Sequence, residues 1–191
     1  MDGGLKYWLP LAMLLFLISL WPPWVRAAGE AGIEELVVTN SAHDLLLYFR
    51  VKNAVTPEME QAVKSGMPLT LAFFVELRRQ RSGWLDLQVL GLEFSHHLHY
   101  DTLKNEFRVV REEKGGAAQT VATMAEARQL MTRVNDLVLL PLAELIPGQA
   151  YTLRVRAQLA EKGLPRFFHR LLPLRRLWSF ETAWHHIEFH Y

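Results

Sequence analysis

Alternation of apolar and polar residues is the feature that most limits what this chain can fold into. The pattern is clearest in four stretches, which run over residues 43–53, 69–77, 90–100 and 151–159. Because successive side chains of a strand point to opposite faces, each stretch predicts a strand with one buried face. Shorter patterns at residues 33–39, 106–110, 138–142 and 183–191 predict further strands. The chain is therefore expected to be mostly β.

Two short helices are predicted between the strands. Thr56 supplies an N-cap, Pro57 suits the first helical position, and Gly66 marks the end of that segment. Thr123 and Glu126 have the spacing of a capping box. Apolar residues follow them at helical intervals, namely Met124, Ala127, Met131 and Val134. The second helix is thus expected to be amphipathic and to pack on a sheet.

One-sided strands joined mainly by turns favour antiparallel pairing. The predicted fold is an antiparallel β-sandwich, Ig-like or similar, with the two short helices as insertions. An open half-barrel is the alternative. Residues 112–119 are polar and contain two glycines, so an exposed, mobile loop is expected there.

The N-terminus has the pattern of a secretory signal peptide. Lys6 precedes an apolar run from Leu9 to Trp21, and two prolines and small residues follow, ending at Ala27. We expect a signal peptide over residues 1–27 and a single, mostly β periplasmic domain over residues 28–191. An uncleaved segment anchored in the inner membrane is the alternative.

Composition excludes several classes of protein. The 21 basic and 20 acidic residues nearly balance, so an exported chain like this is not expected to bind nucleic acid. The chain contains no cysteine. A disulfide framework, thiol catalysis, a cysteine-ligated metal and a lipidated N-terminal cysteine are therefore excluded.

Histidines make the most visible candidate for a ligand site. Alternation places His97 and His99 on one strand face, and His186 and His190 on one face of the last strand. If those strands were neighbours, the four imidazoles would suit a zinc or copper ion. Exposed histidines on a solvated face, with His96 and His185 turned inward, are the simpler interpretation; a pH-sensing cluster is the other alternative.

A basic and apolar segment near the C-terminus is the candidate for binding. Residues 165–178 alternate cations with bulky apolar side chains, including Arg166, Phe167, Arg170, Arg175 and Arg176. Such a segment suits an acidic protein partner or peripheral contact with an anionic membrane. The alternative is a connection whose apolar residues cap the sandwich while its arginines face solvent.

Catalytic patterns are weak. Ser95, His97 and Asp101 share one predicted strand face, whereas a catalytic triad converges from separate elements. Glu112 and Glu113 are adjacent and point apart if the chain is extended. We expect neither an enzyme nor a cofactor.

Two segments carry a resemblance to a known family. They are residues 92–110, with His97, Tyr100, Asp101, Phe107 and Arg108, and residues 178–191, with Trp178, Ser179, Phe180 and Trp184. In these motifs the chain resembles the bacterial family called domain of unknown function 4390, over nearly all of the region after the signal peptide. The resemblance implies an exported single-domain protein and brings no catalytic residue. It also implies a link to a membrane-bound sensor histidine kinase.

Export, the absence of a catalytic motif and the basic segment together predict a non-enzymatic interaction domain, accessory to an envelope sensor or signalling system. Its partner would be an envelope or inner-membrane protein. The alternative is a periplasmic carrier or sensor of a small ligand or metal ion.

Overall fold

The computed structural model describes residues 31–160 and 180–191 of the chain. Nine strands lie in these residues: β1 (Gly32–Asn40), β2 (Asp44–Lys52), β3 (Leu69–Arg79), β4 (Leu87–Asp101), β5 (Glu106–Arg111), β6 (Ala118–Val121), β7 (Arg133–Pro141), β8 (Ala150–Leu159) and β9 (His185–His190). Two α-helices accompany them, α1 (Pro57–Lys64) and α2 (Met124–Thr132). Single 3-10 turns occupy Glu112–Lys114 and Leu142–Glu144.

The strands form two antiparallel sheets. A three-stranded sheet has the order β1-β2-β7, and a six-stranded sheet has the order β6-β5-β4-β3-β8-β9. The chain passes between the sheets through α1, through α2 and through the β7–β8 connection. The predicted mostly β sandwich with two helical insertions is confirmed.

The core lies between the inner faces of the sheets. Phe49 of β2 meets Phe73 of β3 edge to face, with ring centroids 5.7 Å apart, and Phe73 stacks on Phe94 of β4 at 5.2 Å. Helix α2 adds Met131 and its other buried residues to the same core. Because the contact between Phe49 and Phe73 crosses from one sheet to the other, it helps to fix how the two layers meet.

The helix termini form as their sequences predict. The Thr56 hydroxyl accepts a hydrogen bond from the Met59 N–H at the start of α1. At α2, the Thr123 hydroxyl accepts from the Glu126 N–H, and the Glu126 carboxylate accepts from the Thr123 N–H. Both bonds of the capping box are present. The Thr123 hydroxyl also donates to the Glu126 carboxylate at 2.8 Å, and this bond, followed by the one from the Thr123 N–H, lowers the pKa of Glu126.

The β4–β5 hairpin also follows expectation. The Asp101 carboxylate accepts from the N–H groups of Leu103 and Lys104, at 3.0 and 3.1 Å. The bond from Lys104 is the main reason that the pKa of Asp101 is lowered. Tyr100 and Phe107 pair across the hairpin with ring centroids 4.7 Å apart. The turn within the motif that resembles the family is therefore closed by hydrogen bonds and by the pairing of two aromatic rings.

Two local expectations need correction. Residues 112–119, expected to be an exposed, mobile loop, are exposed apart from Glu113, but they contain a 3-10 turn and the start of β6, which pairs with β5. Strand β7 begins at Arg133, where the sequence predicted helix to continue through Val134. Asp136 has a left-handed backbone with φ 51°, which interrupts the alternation and obscures this strand in the sequence.

The signal peptide predicted for residues 1–27 and the basic segment of residues 165–178 lie outside the described residues. Within the part that the structure describes, no helix is both long and apolar enough to cross a membrane.

Candidate functional site

Adjacent histidines of β4 occupy opposite faces of the six-stranded sheet. His96 is fully buried on the inner face, beside Phe73 at a ring-centroid distance of 4.6 Å. His97 lies on the outer face with 45% of its side chain exposed. Strand alternation alone produces this division, and it gives the two imidazoles different partners.

His96 forms a buried ion pair. Its Nδ1 donates to the Met131 carbonyl oxygen at 2.9 Å, and its Nε2 lies 2.9 Å from Oε2 of Glu113. Because a carbonyl oxygen only accepts, Nδ1 must carry a proton. The pKa of Glu113 is lowered, so its carboxylate is ionised and accepts from Nε2. The two side chains are only 0% and 2% exposed, so substrate has no access to them.

The charge state of Glu113 is set by two opposing effects. Burial works to raise the pKa of Glu113, but the hydrogen bond and charge of His96 outweigh it and hold that pKa below its ordinary value. The second oxygen, Oε1, is buried and has no hydrogen-bond partner among the described residues. The pair ties β4, the 3-10 turn and α2 together, which is a structural role.

On the outer face, His97 makes polar contacts with Thr70 and Glu112. Its Nδ1 lies 3.0 Å from the Thr70 hydroxyl, and its Nε2 lies 3.3 Å from Oε1 of Glu112. The other oxygen of Glu112 accepts from the Ser95 N–H at 2.7 Å. Glu112 and Glu113 lie in a 3-10 turn instead of the extended segment that the sequence analysis considered, and each meets a different histidine. Asp101 bonds its own turn, so Ser95, His97 and Asp101 do not form a triad.

The four histidines considered for a metal lie far apart. Strands β4 and β9 are not neighbours, because β3 and β8 lie between them. His97 is paired with Thr70 on β3, whereas the row of His186 runs through Arg154 to Glu76 on β3. His97 and His186 are therefore offset by six residues along the strands, about 20 Å, and by three strand spacings across the sheet, about 14 Å. The two groups of histidines do not converge.

The condition for a metal site at these four candidate histidines, neighbouring strands, is therefore not met. His99 pairs with Arg108 of β5, still further from β9, and His190 lies beyond His186 along β9. In residues 31–160 and 180–191, no three histidine, aspartate or glutamate side chains are grouped closely enough to hold a metal ion.

The outer face of the same sheet carries stacked arginine and aromatic side chains. Arg156 lies over the rings of Phe74 and Trp184, at 4.9 and 5.0 Å from their centroids, and Arg154 lies 4.7 Å from the centroid of Trp184. We call these four residues, together with Glu76, the arginine–aromatic face. Cation–π contacts hold its guanidinium groups against the rings.

Carboxylates position these arginines. Glu76 accepts hydrogen bonds from Arg78 and Arg154, and Arg156 pairs with Glu181 at 2.8 Å. Burial works to raise the pKa of Glu76, but the bonds and charges of Arg154 and Arg78 hold it below its ordinary value. Glu93, which pairs with Phe74, and Glu188, which pairs with Thr152, lie on the same outer face, so its three arginines are matched by carboxylates.

The arginine–aromatic face adjoins both ends of the segment predicted to bind. The Leu159 N–H donates to the Phe180 carbonyl at 2.8 Å, and the Thr182 N–H donates to the Ala157 carbonyl at 2.9 Å. The chain therefore leaves and rejoins β8 beside Arg156. The candidate interaction residues themselves lie outside the described residues: Arg166, Phe167, Arg170, Arg175 and Arg176.

Sequence reasoning missed this face. Arg154 and Arg156 are visible as the polar side of β8, because they alternate with buried residues. Their stacking partner Trp184 comes from beyond the other end of the basic segment, so its position depends on the pairing of β8 with β9. Only the i, i+2 spacing of the arginines was available as a signal.

A second charged region is a weaker candidate. A cavity of about 300 Å³ lies between the end of β2 and α2. Its cations already have carboxylate partners: Arg50 and Lys52 with Glu34, Arg128 with Glu60, and Arg133 with Glu35. Little positive charge is left to attract an anion.

These observations define an antiparallel β-sandwich with a buried histidine–glutamate pair and an arginine–aromatic outer face. Residues 28–188 match the family model described as Domain of unknown function (DUF4390). The match covers most of the chain, so the chain belongs to this family, as its motifs indicated. No curated protein and no solved structure matches the chain.

Proposed function

We propose that the chain is an exported, non-enzymatic domain that binds an envelope protein, in a role accessory to an envelope sensor or signalling system. The observation that carries this proposal is the arginine–aromatic face. Tryptophan and arginine are the residues most enriched at binding hot spots. Here Trp184 and Arg156 lie together on an open sheet surface, beside the ends of the basic segment.

The charge of the adjoining segment indicates the chemistry of the partner. Arginines of the described face are matched by glutamates, whereas residues 166–176 contain four arginines and no acidic residue. A partner with carboxylates around an aromatic slot would match both the charge and the stacked side chains. We therefore propose an acidic periplasmic surface of an inner-membrane protein, such as a sensor histidine kinase.

A carrier or sensor of a small ligand is the other candidate. It is not favoured by the histidines, because His97 and His186 lie on separate rows of the sheet. A shallow cavity of about 500 Å³ lies on the outer side of the three-stranded sheet, next to Tyr48 and Arg133. It supports this candidate only if a ligand co-purifies with the protein.

In-cell crosslinking of the tagged full chain, followed by mass spectrometry, tests the proposal. Trp184→Ala and the double change Arg175→Glu with Arg176→Glu should each reduce recovery of the partner by at least about tenfold, which is typical of a hot-spot residue. Leu103→Ala is the matched control, because Leu103 is 97% exposed in the β4–β5 turn, away from this face.

Equal recovery of the partner by all these variants would show that the surface is wrong. Recovery of no specific protein, together with a stoichiometric metal or small molecule, would favour the carrier instead. Each variant must first give a native circular dichroism spectrum, so that loss of folding is not mistaken for loss of binding.

A further inference from the structure

Exposed apolar side chains concentrate at one end of the six-stranded sheet. The β3–β4 hairpin tip carries Trp84, which is 80% exposed, Leu85, which is 87% exposed, and Leu87, which is 40% exposed. All residues from 81 to 88 are exposed. A well-packed domain has no structural need for a tryptophan and two leucines there.

Strand register places two more such residues at the same end. Arg79 pairs with both Leu87 of β4 and Tyr151 of β8, and Tyr151 pairs with Phe189 of β9. The residues that continue past this row of pairs, on the side of the hairpin tip, therefore lie at the same end of the sheet. Among them, Ile146 is 45% exposed and Tyr191 is 39% exposed.

The other exposed large apolar residues of the described chain, Val37, Leu103 and Val138, are scattered elsewhere. Leu103 lies in the turn at the opposite end of β4. Scattered single residues are normal on a protein surface, whereas five at one end form a patch.

The hairpin tip is held in shape by its own bonds. The Trp84 N–H donates to the Arg81 carbonyl at 3.4 Å, and Gly83 supplies the left-handed backbone of the turn with φ 77°. The Arg81 guanidinium donates twice to the Leu85 carbonyl, at 3.2 and 3.0 Å. Leu85 thus stays exposed while its carbonyl is satisfied, which lowers the cost of entering an apolar medium.

Cations surround this apolar tip. Residues 78–88 contain Arg78, Arg79 and Arg81 but a single acidic residue, Asp86. Arginine beside exposed tryptophan and leucine is the composition of elements that settle at an anionic membrane interface. A convex tip offers little contact area to a flat protein surface, whereas a fluid interface closes around it.

We infer that the β3–β4 hairpin tip, with Trp84 and Leu85 at its apex and Arg79 and Arg81 at its base, inserts into the interfacial region of an anionic phospholipid bilayer. This inference goes beyond the proposed function, because it concerns lipid and a different end of the sheet. It does not depend on the arginine–aromatic face.

Site-specific fluorescence tests this inference on the full chain. Because the chain contains no cysteine, Leu85→Cys and Leu103→Cys each give a single site for an environment-sensitive dye. The two labelled proteins are reconstituted with vesicles of phosphatidylcholine alone or with about 30% phosphatidylglycerol. Any effect of residues 1–27 on membrane attachment is the same for both labels, so their comparison reports on the hairpin tip.

The expected result is a blue shift and at least a twofold rise in dye emission at position 85 on anionic vesicles, with no change at position 103. Arg79→Glu should weaken the response at position 85 by about fivefold or more in lipid concentration, since one cation near an anionic surface gives about that factor. Lys104→Glu, in the turn that holds Leu103, is the matched control and should leave it unchanged.

An aqueous emission at position 85 on both vesicle types would overturn the inference. Equal responses at positions 85 and 103 would also overturn it, as would equal responses on neutral and anionic vesicles. A response that requires an added membrane protein instead of lipid would assign the tip to a protein partner. Insertion at position 85 without partner capture through Trp184 would contradict only the proposed function, and the reverse result only this inference.

Discussion

The two surfaces of the six-stranded sheet use charged side chains differently. On the inner surface, His96 and Glu113 are paired and nearly inaccessible to solvent. On the outer surface, Arg154 and Arg156 are partly exposed and lie against aromatic rings. Charge buried without solvent is tolerated only when it is paired, so the inner charges stabilise one packing arrangement, whereas the outer charges remain in contact with solvent.

Removing the buried carboxylate should have the largest effect on stability. Glu113→Ala leaves Nε2 of His96 buried without an acceptor, which should lower the free energy of unfolding by about 3–5 kcal/mol. Urea unfolding followed by circular dichroism measures this difference. A loss below about 1 kcal/mol would show that the pair does not hold the fold together.

A double change sharpens the same comparison. His96→Phe with Glu113→Leu replaces the pair by apolar side chains beside Phe73, and should recover most of the stability lost by Glu113→Ala. Recovery would show that the pair acts through packing and charge balance alone. If the double variant folds stably but does not capture the partner, the pair has a functional role instead.

The effect of Glu113 should depend on acid pH. The folded-state pKa of Glu113 is lowered, so its stabilisation is present above the ordinary glutamate pKa of about 4 and is lost as the pH falls through the lowered value. The difference in unfolding free energy between wild type and Glu113→Ala should therefore shrink as the pH falls below about 4. A difference that grows in acid would reverse this sign.

The outer surface should contribute less to stability. Trp184→Ala removes two cation–π contacts of about 0.5–1 kcal/mol each, so the free energy of unfolding should fall by about 1–2 kcal/mol while partner binding falls much more. Trp184→Phe keeps a ring and should retain most of both properties. A stability loss as large as that of Glu113→Ala would remove the contrast between the two surfaces.

The smallest effect on stability is expected at the exposed pair of His97 and Glu112. Glu112→Ala removes the contact with His97 and the bond from the Ser95 N–H, but both side chains are about half exposed. The change in unfolding free energy should stay within about 1 kcal/mol. Since Glu112 is the sequence neighbour of Glu113, this variant is the matched control for Glu113→Ala, measured by the same urea titration.

The sequence predicted local structure better than contacts. Alternation located β3 and β8, and capping residues located both helices, because these signals act over a few residues. Strand β6 escaped detection because its four residues are mainly exposed and lack a buried face. The partnership of His96 with Glu113 depends on how the turn after β5 folds back, which no local pattern encodes.

The same reason explains what was missed on the outer surface. The sequence left open whether histidines of β4 and β9 would meet, and the strand order separates them and brings Trp184 to Arg154 and Arg156. Strand order is decided by packing of the whole sandwich, which determines which polar side chains become neighbours.

Photocrosslinking from the two sides of the sandwich tests the central claim most directly. A photoreactive amino acid is placed at the position of His186, which lies on the outer face of β9, or of Val138, which is 52% exposed on β7 of the other sheet. The account predicts that irradiation in cells links position 186, but not 138, to a single envelope protein, and that Trp184→Ala abolishes the link. Crosslinking from position 138 alone, or equally from both positions, would contradict it.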